Sequence, residues 1–220
     1  MQGQMMDYQL TITPLLERAR RLFPKKEIVT KAGPGLERFT YEQMTERVGR
    51  LANALSRLGV KSGDRVATFA WNNARHLEIY FAVPCMGAVL HPLNLRLPAD
   101  QLTYIIAHAD DQVLFIDPSL LPAIEKLAPQ IKNIKHYIIM GDKVPEGTTL
   151  SPVHAYEDLL NSARSRGCKF GPGKTSFVPS MTVANGVPHA STWNMGTTGI
   201  KTSRSERPNE SVMLKPNAWR

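Results

Sequence analysis

The stretch from Val66 to Asp117, VATFAWNNARHLEIYFAVPCMGAVLHPLNLRLPADQLTYIIAHADDQVLFID, decides the fold of this chain. Short runs rich in β-branched residues alternate in it with longer amphipathic runs, an order typical of strand, crossover helix and strand. Parallel strands need such crossovers, which are almost always right-handed. The sequence therefore predicts an α/β domain with a largely parallel sheet flanked by helices.

The same patterning extends on both sides of this stretch. Thr40 and Gln43 have the spacing of a capping box, and we predict a helix that begins there and ends at Gly59. An earlier helix is expected to use Thr13 as its N-cap. The other expected elements are strands at 27–30, 37–39, 65–70, 88–91, 112–117 and 134–140, and helices at 14–23, 74–86, 98–108, 120–127 and 153–161.

Charge is unevenly distributed along the chain. Its 220 residues include 27 Lys and Arg against 19 Asp and Glu, a net charge of +8. Residues 1–162 account for +1 of this charge and residues 163–220 for +7. The folded part therefore needs no basic face, and we expect no nucleic-acid partner. A nucleic-acid-binding tail on an inert lobe stays a third alternative, which predicts steeply salt-dependent binding.

The cysteines and the N-terminal residues indicate a cytoplasmic setting. Cys85 and Cys168 are too few for a disulfide framework and have no metal-ligand spacing. We find no signal peptide, and no apolar run reaches the roughly 20 residues of a transmembrane segment. Arg18, Arg20 and Arg21 are interpreted as part of a plain helix rather than of a transit peptide.

Two regions are expected, an incomplete lobe at 1–162 and a basic tail at 163–220. The tail is rich in Gly, Pro, Ser, Thr and Asn and has no sustained helical or strand period. Such a composition cannot assemble a packed core, and we predict a disordered tail. A frameshift product and a natural linker are two explanations for it.

Polar residues follow the strand expected at 65–70. Asn72, Asn73 and His76 come at a strand-to-helix junction, and such junctions face the ligand crevice in α/β sheets. They are candidates for a substrate cleft or an interface. The alternative is structural: Asn72 or Asn73 caps the next helix. In that interpretation Trp71 and Tyr80 lie in the core. Arg75 and Glu78 form a local ion pair.

A second set of candidates lies at and after the end of the strand expected at 88–91. His91 and Arg96 are expected in a loop with Asn94, either as cleft or interface residues or as an ordinary solvated loop. The chain contains no His-x-x-x-His sequence and no carboxylate cluster with ligand spacing. We therefore expect no metal-ligating residues.

Three strings of residues resemble one enzyme family. They are Trp71-Asn72-Asn73, Arg75-His76-Leu77-Glu78 and His91-Pro92-Leu93-Asn94-Leu95-Arg96-Leu97. Together they are similar to the N-terminal domain of adenylate-forming acyl-CoA synthetases, closest to medium- and long-chain fatty-acid–CoA ligases. The resemblance covers about residues 1–161 and implies the N-terminal lobe of the acyl-adenylate synthetase fold.

The resemblance also implies an activity and its cofactors. In this family a fatty-acid carboxylate attacks the α-phosphate of ATP, giving an acyl-adenylate and pyrophosphate, and the CoA thiol then displaces AMP. ATP, Mg²⁺ and CoA would therefore serve the parent activity. The loop around His91 helps to shape the acyl side of the lobe in similar enzymes and contributes to subunit contacts.

One further motif resembles the family's phosphate loop. Gly196, Thr197, Thr198 and Gly199 match its Gly-Thr-Thr-Gly turn, and Lys201 would supply the positive charge. The family's Pro and second Gly are missing, the lysine comes one place early, and no apolar strand precedes the turn. These candidate ATP-binding residues are therefore open to a second interpretation, as a degenerate relic.

The function expected from the sequence is that of a truncated fatty-acid–CoA ligase fragment. No residue receives a catalytic role, and we expect the chain to be inactive alone and to bind no cofactor productively. The alternative is a non-catalytic interaction module, which forms a homodimer or pairs with an intact synthetase.

Overall fold

A computed structural model describes residues 11–32 and 35–163 of the chain. The tail expected at 163–220 lies, apart from its first residue, outside the described residues. The elements follow one another in the order α1 (Thr13–Leu22), β1 (Glu27–Ala32), β2 (Gly35–Thr40), α2 (Tyr41–Arg57), β3 (Arg65–Phe69), α3 (Ala74–Cys85), β4 (Val89–Pro92), α4 (Ala99–Ala109), β5 (Asp111–Ile116), α5 (Leu121–Leu127), β6 (His136–Ile139), β7 (Val153–Ala155) and α6 (Tyr156–Ser162).

The central sheet has five strands in the order β4-β3-β5-β6-β7, and every neighbouring pair is parallel. The prediction of a parallel sheet flanked by helices is confirmed. From β3 the chain crosses to β4 on one side, and it then returns past β3 to β5 on the other. β1 and β2 form a separate antiparallel hairpin.

Apolar side chains on the two faces of the sheet build two cores. On β5, Val113 and Phe115 pack toward α2, α3 and α6, whereas Leu114 and Ile116 pack toward α4 and α5. A strand covered on both faces is apolar at successive positions, because alternate side chains enter opposite layers. This explains why VLFI in β5 contains no polar residue.

The capping box that the sequence predicts is present at the start of α2. The backbone N–H of Gln43 donates to Thr40 Oγ1 at 3.3 Å, and the backbone N–H of Thr40 donates to Gln43 Oε1 at 2.9 Å. After the last turn, Gly59 has a φ of 89°, a left-handed conformation that favours glycine. Both helix ends therefore lie where local chemistry places them.

Two predictions about helix starts are wrong. The N-cap of α1 is Ile12, while Thr13 already lies in the helix and its hydroxyl donates to Cys85 Sγ at 3.6 Å. The helix expected at 153–161 begins only at Tyr156, because Val153–Ala155 forms β7 beside β6. Three residues are too few to show strand alternation, and their pairing with β6 comes from tertiary structure. Within the described ranges, no helix has the length and apolar character needed to cross a membrane.

Candidate functional site

The carboxyl ends of β3 and β5 define the place where a ligand crevice is expected. The connection that follows β3 runs to one side of the sheet, and the connection that follows β5 runs to the other. In open α/β sheets this change of direction leaves a crevice beyond the strand ends. The residues that follow Phe69 and Ile116 therefore form the candidate site.

A short chain of hydrogen bonds joins the two strand ends. Trp71 Nε1 donates to Ser119 Oγ at 3.2 Å, and that hydroxyl donates to Asp117 Oδ1 at 2.7 Å. The same carboxylate oxygen accepts the Ser119 N–H at 3.0 Å, which caps the short 3-10 turn after β5. Trp71 is 56% exposed and Tyr80 39%. The prediction that these two aromatic residues lie in the core is wrong, because Trp71 lies beyond the strand end, where neither helix layer covers it.

The two asparagines differ in role. Asn73 is the N-cap of α3, and its Oδ1 accepts the backbone N–H of His76 at 2.9 Å. Asn72 is exposed. Of the two caps left open by the sequence, the structure selects Asn73.

His76 is buried and both of its ring nitrogens have partners. Nδ1 lies 3.2 Å from the carbonyl oxygen of Trp71, and Nε2 lies 3.0 Å from Thr68 Oγ1. Because a carbonyl only accepts, the neutral ring donates from Nδ1 and Nε2 accepts from the Thr68 hydroxyl. Burial lowers the pKa of His76. This side chain joins the end of β3 to the start of α3, and it has no ring nitrogen to spare for a ligand.

His91 and Arg96 lie apart from this group. His91 is in β4, as the strand expected at 88–91 predicts, and its Nδ1 lies 2.8 Å from Asp111 Oδ2. Asp111 is fully buried at the start of β5, the opposite end of that strand from the candidate site, and burial raises its pKa. Arg96 is exposed, and its backbone N–H donates to Asn94 Oδ1 at 3.0 Å. Arg96 lies in the predicted loop, whereas His91, the last residue of the strand expected at 88–91, is paired with β3 in the sheet.

A buried ionic network lies beside the site, and the sequence did not predict it. Glu78, 1% exposed, accepts from Arg47 Nε at 2.7 Å and from the Tyr156 hydroxyl at 2.6 Å. Arg47 also forms a two-pronged ion pair with Glu157, at 2.9 and 3.0 Å. The predicted local pair of Arg75 with Glu78 is therefore wrong. The only signal in the sequence is an acidic residue at position 78 on a largely apolar helix.

Arg75 connects this network to the loop at the carboxyl end of β6. Its Nε donates to Glu157 at 2.9 Å, and its terminal nitrogen donates to Asp142 at 2.6 Å in the loop after β6. Burial acts to raise the pKa of Glu157, but hydrogen bonds from Arg47 and Arg75 outweigh it and lower that pKa. Burial dominates at Glu78 and Tyr156, whose pKa values are raised.

These contacts bear on whether the described residues could hold Mg²⁺ or nucleotide. Asp117 accepts from Ser119, and Asp142 and Glu157 accept from arginines. In the part of the chain that the structure describes, no three His, Cys, Asp or Glu side chains form a group that could hold a metal ion. The three carboxylates of Asp117, Asp142 and Glu157 are therefore already engaged by protein donors and are not free to serve as Mg²⁺ ligands in this arrangement. The candidate phosphate residues Gly196, Thr197, Thr198, Gly199 and Lys201 lie outside the described ranges.

Comparison with known proteins agrees with this fold. A family model described as AMP-binding enzyme matches residues 16–184, and the chain belongs to that family. It is 46% identical over 157 residues to a long-chain-fatty-acid–CoA ligase of Thermus thermophilus, covering 71% of this chain and 28% of that protein. It is 39% identical over 162 residues to a medium-chain-fatty-acid–CoA ligase of Ectopseudomonas oleovorans, covering 73% and 30%.

A solved structure shows the same lobe. A putative long-chain-fatty-acid CoA ligase from Rhodopseudomonas palustris superimposes with a TM-score of 0.60 at 28% identity, covering 69% of this chain and 36% of that one. The chain thus spans under a third of the length of these two sequence relatives. The predicted resemblance to the N-terminal part of fatty-acid–CoA ligases is confirmed.

Proposed function

We propose that this chain supplies the N-terminal lobe of an AMP-forming fatty-acid–CoA ligase. The observation that carries the proposal is the 46% identity over 157 residues to the Thermus thermophilus long-chain ligase. The proposed reaction joins a fatty acid to CoA through an acyl-adenylate, with ATP consumed and AMP and pyrophosphate released. ATP, Mg²⁺ and CoA are the cofactors that this chemistry requires. The buried thiol of Cys85 is compatible with the reducing cytoplasm as the proposed compartment.

The role proposed for the described residues is to hold the segments at the carboxyl ends of the strands in place. His76 and Asn73 fix the start of α3 against β3, and Arg75 ties the loop after β6 to α6. Rigid support of this kind positions the groups that carry out the chemistry. We assign Asn72, Trp71 and Arg96, all exposed, as candidates for contact with substrate or with a neighbouring surface.

We also propose that the 220-residue chain alone does not catalyse the ligation. At the carboxyl end of the sheet, Asn73, Asp117 and Arg75 are occupied by capping and ion pairing, and no catalytic role is assigned to any described residue. The test is to incubate the purified chain with ATP, Mg²⁺ and a medium- or long-chain fatty acid. Pyrophosphate release should stay at the level of the protein-free control, and release above that level would contradict this part of the proposal.

A chimaera tests the positive part of the proposal. Residues 11–163 of this chain replace the matching segment of the Thermus thermophilus ligase, and a second chimaera is built with the Ectopseudomonas oleovorans enzyme. At least one should be folded, by circular dichroism, and should form acyl-CoA from fatty acid. If both chimaeras are folded and neither forms acyl-CoA, this lobe does not belong to a fatty-acid–CoA ligase.

The second candidate function is a non-catalytic interaction module. One observation favours it: the outer face of the β1–β2 hairpin exposes Val29 and Leu36, at 47% and 63%. Apolar side chains on an exposed two-stranded hairpin are a surface on which another copy or an intact synthetase could pack. Light scattering of the chain, alone and mixed with an intact ligase, should then show a larger species that Val29→Lys with Leu36→Lys abolishes. A monomer in both samples excludes this function.

A further inference from the structure

Helix α1 and the turn after it expose apolar and basic side chains together. Leu15, Arg18 and Leu22 follow one another at three- and four-residue spacing, so they share one face of the helix. Leu15 is 61% exposed and Leu22 49%, while Leu16 alone on this helix is fully buried. Phe23, 51% exposed, follows directly, and Lys25 and Lys26 come after it. We call Leu15, Arg18, Leu22, Phe23, Lys25 and Lys26 the basic–apolar surface.

The positive charge of this surface is not neutralised by neighbours. The only acidic residue of α1, Glu17, pairs with Arg20 at 3.0 Å. Within the described part of the chain, no ion pair involves Arg18, Lys25 or Lys26. Residues 15–26 therefore expose three cations without an ion pair and three large apolar side chains within one short segment.

We propose that the basic–apolar surface docks this chain on an anionic lipid bilayer. Exposed leucine and phenylalanine side chains gain free energy by entering the boundary between headgroups and acyl chains, and cations beside them contact lipid phosphates. The long stems of Arg18, Lys25 and Lys26 let each charge stay at the headgroup level while its methylene groups cover apolar surface.

Charge complementarity favours an anionic bilayer over the chain's own N-terminal residues as the partner of the basic–apolar surface. Positions 1–10 contain a single acidic residue, Asp7, which could balance one of the three cations. An anionic leaflet instead offers many phosphates and carboxylates, each free to diffuse to its partner. The inference does not depend on the proposed ligase activity, and its test measures no catalysis.

The test is sedimentation of the full chain with lipid vesicles. We expect the chain to pellet with phosphatidylcholine vesicles that contain phosphatidylserine, to pellet much less with phosphatidylcholine alone, and to be released by high salt. Each basic residue near an anionic surface contributes about fivefold to binding, so Arg18→Gln with Lys25→Gln should lower the partition coefficient about 25-fold. Leu15→Ser with Leu22→Ser should also lower it at least tenfold, since two apolar side chains would no longer leave water for the acyl boundary.

Two control variants remove the same charge elsewhere. Lys132→Gln with Lys135→Gln acts at exposed positions before β6, and Lys169→Gln with Lys174→Gln acts in the basic region after residue 162. Circular dichroism checks that every variant is folded, and a vesicle-free run excludes pelleting by self-association. Absence of vesicle binding overturns the proposal. A loss in either control as large as that of the α1 charge variant, or no loss in the leucine variant, overturns it as well.

Discussion

Replacing Arg47 by methionine is the sharpest test of the buried network. Methionine keeps an apolar stem of similar length but removes the charge and all the donors. Glu78, 1% exposed, then keeps only the Tyr156 hydroxyl as a partner, and Glu157 keeps only Arg75. The variant therefore leaves one carboxylate buried without a cation.

The expected loss of stability follows from that burial. Breaking a buried ion pair by removing one partner costs about 3–5 kcal/mol. The side chain of Arg47 is itself 29% exposed, so water can replace part of what it supplied. We expect the free energy of unfolding to fall by about 3 kcal/mol, at the lower end of that range.

The loss should depend on pH with a definite sign. Burial already raises the pKa of Glu78 above its ordinary value of 4.5, and removal of Arg47 raises it further. The folded variant then binds a proton more tightly than the unfolded chain does, so its stability falls as pH rises above about 4.5. The difference from the parent chain is smallest near that pH and largest at neutral pH.

Urea unfolding, followed by circular dichroism at several pH values, measures these quantities. Arg50→Met is the matched control, because Arg50 lies on the same helix and makes a more exposed pair with Glu46. An exposed pair four residues apart on a helix is worth about 0.3–0.5 kcal/mol, so this control should change stability little at any pH. Equal losses in the two variants, or a loss from Arg47→Met below about 1 kcal/mol at neutral pH, would refute the reasoning.

Two further predictions concern the start of α3. Asn73→Ala should lower the free energy of unfolding by about 1 kcal/mol through loss of the N-cap, whereas Asn72→Ala should leave it unchanged; urea unfolding of both variants measures this, and equal effects would contradict the capping assignment. His76 has a lowered pKa in the folded chain, so the unfolded chain binds its proton first and stability should fall as pH drops below about 6.5. In His76→Gln the part of this pH dependence that His76 contributes should disappear, and an unchanged slope of stability against pH would show that another group causes it.

Local patterns predicted the regular elements of the fold well. The capping box at Thr40 marks the start of α2, and the left-handed Gly59 marks its end. Both signals involve residues only a few positions apart, so the sequence shows them directly. The apolar run of β5 indicated a strand buried on both faces. β7 was missed because its three residues owe their conformation to pairing with β6 rather than to their own pattern.

The candidate site was predicted less well, because its contacts join distant positions. A cap at Asn72 or Asn73 was predicted, since such a bond spans only three residues, and the structure selects Asn73. Arg47 and Glu157 are 110 positions apart, and nothing in either local sequence indicates that they meet. Glu78 was expected to pair with Arg75, but it contacts Arg47 and Tyr156 in the core instead.

The sequence by itself determined the class of fold, the family and most helix and strand positions. These properties depend on hydrophobic period, capping and turn residues, all of which act over a few residues. Only the tertiary structure decided that His91 pairs with Asp111, that Trp71 stays exposed and that three helices share one buried ionic network. The physical reason is that burial and charge pairing depend on which distant segments meet, and that is set by the packing of the whole lobe.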